Sequence, residues 1–66
     1  MKEIKTGDKV RVVTVSEEDQ KYLDKTGVAQ QLVGIGYKED DVLVFFDTGG
    51  VGYFKEGQLK KIDSDG

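Results

Sequence analysis

Apolar residues fall at Val10, Val12, Val13 and Val15 in the stretch GDKVRVVTV (7–15), and the change of phase between 12 and 13 predicts a first strand with a bulge. The polar, acidic segment SEEDQKYLDKTG (16–27) follows. Ser16 with Asp19 three residues on has the form of a helix-capping signal, so one helical turn inside a long first loop is expected. VAQQLVGIGY (28–37) reads as a second strand in which Gly34 and Gly36 mark a bend. After a turn at KED (38–40), DVLVFFD (41–47) gives the strongest strand pattern, and VGYFK (51–55) pairs with it across Thr48-Gly49-Gly50. EGQL (56–59) is a short turn and KKID (60–63) a last strand. The expectation is an all-β chain of five short strands with no helix long enough to cover a sheet.

Alternation along the third strand places Val42, Val44 and Phe46 on the core side and turns Leu43 and Phe45 to the other face. Two large apolar side chains on an outer face mark a candidate partner-binding patch, and Tyr53 or Phe54 joins it according to the hairpin register, which sequence leaves open. The same two side chains are also explained if a terminus, the long loop or a second subunit covers them, so self-association stays among the alternatives.

At 66 residues the chain is read as one small domain, 1–66, with a frayed tail at 64–66, and such a domain buries only about 60% of its unfolded surface. It has no Cys and no His, which removes disulfides, thiolate metal sites and the commonest general base. Nothing resembles a signal peptide, a transmembrane run or a lipidation site, so a cytoplasmic location is expected. Asp47-Thr48-Gly49 after an apolar run is how an aspartic-protease loop reads. That chemistry needs two aspartates sharing a proton, hence a dimer, and a long following stretch for flaps and walls, whereas 17 residues follow Gly49. Asp47 is therefore assigned to turn entry, with the glycines supplying positive φ. Consecutive carboxylates at 17–19 and 39–41 do not converge as a Ca²⁺ cage requires, Gly34-Ile35-Gly36 lacks the rest of a dinucleotide fingerprint, and DSDG (63–66) lacks the rest of an EF-hand loop. No catalytic residue, metal or cofactor is expected.

Five strands with a long first loop, a tight hairpin between strands three and four and a short 3₁₀ turn before the last strand are the plan of an SH3-like barrel. TGDKVRVV…YLDKTGVA resembles the opening of KOW-type bacterial SH3-like modules, with Asp24 where the pattern Gly-x-x-Gly has its first glycine. VLVFFDTGGVGYFKEGQL is similar to the second half of small standalone barrels, including YorP-like phage proteins. The resemblance implies a non-enzymatic module, of phage or mobile-element origin, that binds protein or nucleic acid.

Charge arbitrates between these two. Ten basic against 13 acidic residues, net −3, favour a protein partner over DNA or RNA. The alternative is a basic stripe on the neighbouring first and last strands, built from Lys5, Lys9, Arg11, Lys60 and Lys61.

Overall fold

The computed structural model describes residues 4–62. Five strands, β1 (Lys9–Val12), β2 (Thr26–Gln31), β3 (Asp41–Phe46), β4 (Val51–Lys55) and β5 (Leu59–Lys61), form one antiparallel sheet in the order β4-β3-β2-β1-β5. Two 3₁₀ segments, Glu17–Tyr22 and Glu56–Gln58, complete the regular structure among the described residues. The chain is thus mainly β and its longest helical segment is short, as the pattern predicts. The sheet ends at β4 and β5, which do not pair with each other, so it is open rather than a closed barrel.

The β3–β4 hairpin follows directly from its residues. β-Branched and aromatic side chains fit the pleat, and Asp47–Gly50 closes the turn, with Gly49 N–H donating to Phe46 O and Phe46 N–H to Gly50 O, both at 3.0 Å. Gly49 and Gly50 take φ of 97° and 87°, left-handed values that a side chain resists. Val42, Val44 and Phe46 enter the core with Ile4, Val10, Val12, Ala29, Phe54 and Leu59. The 17–22 segment lays Tyr22 on this core, stacked on Phe46 with ring centroids 5.2 Å apart and edge-on to Phe54 at 5.7 Å.

Four expectations are corrected. β1 ends at Val12, and the bulge lies one residue later than predicted: the amides of Val13 and Thr14 both reach Gln58 O, at 2.9 and 3.3 Å, leaving both side chains exposed before Val15 turns inward. The 17–22 segment is two 3₁₀ turns joined at a kinked Asp19, and Ser16 makes no side-chain cap. β2 ends at Gln31, so Gly34 and Gly36 belong to a loop and do not bend a strand. The close approach occurs instead at Gly27, where an added Cβ would lie 2.4 Å from Phe45 O as β2 crosses β3. The fifth strand is Leu59–Lys61, and the expected tail at 63–66 lies outside the described residues.

Asp24 closes the first loop with φ of 68°, its N–H donating to Val12 O at 2.8 Å. A left-handed backbone at this position is what a glycine would supply without cost, and aspartate is among the few other residues that tolerate it.

Candidate functional site

Register decides which side chains share the outer face. Phe45 lies between Val28 on β2 and Val51 on β4, and Leu43 between Gln30 and Tyr53. Neighbouring strands hold such partners within side-chain contact range, so Val28, Phe45, Val51, Leu43 and Tyr53 form two adjoining apolar rows across three strands. Phe45 and Tyr53 are 45% and 54% exposed, Val28 and Val51 are also exposed, and Leu43 is half-buried. Phe54, the other aromatic proposed for this patch, is 2% exposed and belongs to the core, because its pairing with Val42 places it on the opposite face.

The first row continues to Lys9, which opposes Val28 and spans to Asp47, with Lys9 Nζ donating to Oδ1 at 2.6 Å and Oδ2 at 2.7 Å. Thr26 Oγ1 donates to Asp47 Oδ2 at 2.7 Å. The lysine first, then the threonine hydroxyl, hold the Asp47 carboxyl below its ordinary range. Asp47 borders a recess of about 270 Å³ with Leu23, Asp24, Lys25, Thr26 and Thr48, yet its carboxylate is bound within the fold rather than presented to that recess as a proton carrier.

Beyond this network, Arg11 on β1 pairs in register with Lys60 on β5 and with Thr26 on β2. No carboxylate lies within 4.0 Å of Arg11 or Lys60 among the described residues, and like charges directly opposed are unfavourable. The rest of the expected basic stripe does not assemble: Lys9 is bound to Asp47, Lys61 stands 3.6 Å from Asp8, and Lys5 lies in the turn before β1.

At the other end of the apolar rows, Asp41 is buried under Lys55 and Tyr53. Lys55 Nζ donates to Asp41 Oδ1, and Lys38 N–H donates to Oδ2 at 2.9 Å. The lysine contact first, then the backbone amide, lower the Asp41 carboxyl from its ordinary 3.8 to about 2, while the same contact raises Lys55. Hydrogen bonding to Asp41 raises the Tyr53 phenol. This anchor pins the neck of the 32–40 loop, whose tip exposes Val33, Ile35 and Tyr37 around Gly34 and Gly36.

Sequence reading missed Val28 and Val51 because both depend on register. It missed the apolar loop tip because the alternation of Val33, Ile35 and Tyr37 imitates a strand. Among the described residues, no group of three Asp or Glu side chains is placed to hold a metal ion, and no helix is long and apolar enough to cross a membrane. Comparison of the chain with protein-family models, curated proteins and solved structures finds no match.

Proposed function

We propose that the protein is a non-enzymatic module that binds a protein partner through the outer face of β2, β3 and β4. The observation that carries this reading is the contiguous exposure of Val28, Phe45, Val51 and Tyr53 in register, with Leu43 between them. Apolar area spread over adjoining strands offers a partner an anchor surface, and the ion pairs of Lys9–Asp47 and Lys55–Asp41 at its margins supply a polar rim. The strand order and the 3₁₀ turn between β4 and β5 support the finer description of the fold as SH3-like, and Asp24, with its positive φ, stands where KOW-type modules have glycine. A fold of this kind hosts many binding functions, so the exposed face, and not the architecture, points to a protein partner.

The test is capture from a bacterial lysate by wild type and by Phe45→Ser, each with and without nuclease. A protein retained by wild type, lost by the variant and indifferent to nuclease supports the reading. Retention unchanged by Phe45→Ser, with the variant's fold intact, overturns it.

A second reading, nucleic-acid binding, is favoured by one observation, the opposed Arg11 and Lys60 with no carboxylate partner among the described residues. A phosphate would relieve their repulsion. Against it stands the net charge of −3 and the neutralisation of Lys9 and Lys61 within the fold.

A further inference from the structure

The two edges of the sheet differ. β5 is three residues long and carries Lys60 and Lys61, the short, charged form that discourages strand addition. β4 has five residues, no proline, and no charge before Lys55.

Its hydrogen-bonding groups divide by alternation. Phe46 N–H bonds Gly50 O, so the next bonded pairs along this antiparallel ladder are Val44 with Gly52 and Val42 with Phe54. Val51, Tyr53 and Lys55 then turn their amides and carbonyls away from β3. The Lys55 amide is already taken by Gln58 Oε1 at 3.0 Å. Among the described residues the open edge is therefore Val51 and Tyr53, the same residues whose side chains stand exposed on the outer face.

We infer that two copies of the chain pair through their β4 edges, antiparallel, with Val51 of each opposite Tyr53 of the other and Gly52 on the two-fold axis. In this register every open amide meets an open carbonyl, and the pairing satisfies itself without any other group. The neighbouring registers do not. Placing Val51 opposite Val51 sets Tyr53 against Gly49, which has φ of 97° and whose amide is already given to Phe46 O. Placing Tyr53 opposite Tyr53 sets Val51 against Lys55, whose amide is held by Gln58. The self-matched register also sets a β-branched residue beside an aromatic one at both ends of the contact, a favourable cross-strand pair. It brings no like charges opposite each other, since Lys55 then faces Gly49. The resulting sheet has ten strands, from five in each copy, and continues the outer apolar rows across the junction.

The inference goes beyond the proposed face binding, and the two fail separately: Phe45→Ser removes the face and leaves the edge. The experiment is amide exchange by NMR on the whole chain, from micromolar to millimolar concentration, with sedimentation in parallel. Dimers should appear as concentration rises. The Val51 and Tyr53 amides should then slow by about tenfold or more, while those of Gly52 and Phe54, bonded to β3, stay protected throughout. Val51→Lys, which adds an edge charge, should keep the fold, sediment as a monomer and show no concentration dependence. A wild type that remains monomeric at millimolar concentration overturns the inference. So does association that leaves exchange at Val51 and Tyr53 unchanged, as stacking of outer faces would, whatever the variant does.

Discussion

Asp24 sits at φ of 68°, and among the described residues its side chain makes no hydrogen bond or ion pair that a glycine there would forfeit. Asp24→Gly is expected to hold stability within about 1 kcal/mol, the lost strain offsetting the gained chain freedom, whereas Asp24→Val should cost about 1–2 kcal/mol. Urea midpoints of the three proteins compare them. Gly27 is the opposite case, with ordinary φ but no room. An added methyl meets Phe45 O at 2.4 Å and Phe46 Cα at 2.9 Å, backbone atoms that move only with the sheet. Gly27→Ala should cost about 3 kcal/mol, the upper part of the overpacking range, while Gly57→Ala, which meets nothing within 4 Å, should stay within about 0.5 kcal/mol. Asp41 links a residue to pH. Its carboxyl is lowered from 3.8 to about 2, so the unfolded chain takes up that proton first. The stabilisation is complete above its ordinary value and lost as pH falls towards 2. Thermal melts between pH 5 and 2 should show a decline that is flatter in Asp41→Asn, and an equal slope in both proteins would discount the Lys55 and Lys38 contacts as its source.

The elements show which parts of the fold local pattern encodes. Strands three and four were legible because β-branched and aromatic residues cluster on either side of a glycine pair that accepts the positive φ of a tight turn. Alternation alone also put Val42, Val44 and Phe46 inside and Phe45 outside. What it left open was register, which depends on how many residues the turn consumes. Once Leu43 pairs with Tyr53, Phe54 goes to the core and Val51 and Val28 join Phe45. The second strand misled because apolar residues spaced by two are the same signal in a strand and in a loop built on Gly34 and Gly36. The core role of Ile4 was not legible either, since an isolated apolar residue in a polar stretch has no period to place it. Adjacent residues on β3 therefore make a direct comparison. Phe46→Ala removes a ring packed between Tyr22 and Phe54 and should cost about 3–5 kcal/mol. Phe45→Ser removes an exposed ring and should fold with a melting temperature near that of wild type. If Phe45→Ser collapses like Phe46→Ala, the outer face is covered and the proposed binding surface is lost with it.

For the molecule as a whole, charge separates the two binding readings and the edge pairing by the sign of a salt effect. Of the basic side chains that sequence assigned to a stripe, Lys9 and Lys61 are paired with carboxylates and Lys5 lies in the turn before β1, so Arg11 and Lys60 are what the first and last strands offer to a phosphate. Contact with two phosphates predicts a log–log salt slope near −1.8 on duplex DNA, far shallower than that of dedicated DNA-binding proteins, and an acidic chain at net −3 opposes even this. Binding of labelled duplex or single-stranded nucleic acid is expected to be weaker than micromolar at physiological salt and to lessen as salt rises. Pairing of two copies each at −3 should instead strengthen with salt, because screening removes a repulsion. Protein capture through apolar rows should change little, since its driving force is burial and not charge. Titrations at low and high salt measure all three on one protein. Submicromolar nucleic-acid affinity that falls steeply with salt, and is abolished by Arg11→Glu with Lys60→Glu, would move the functional surface from the apolar rows to the β1–β5 edge.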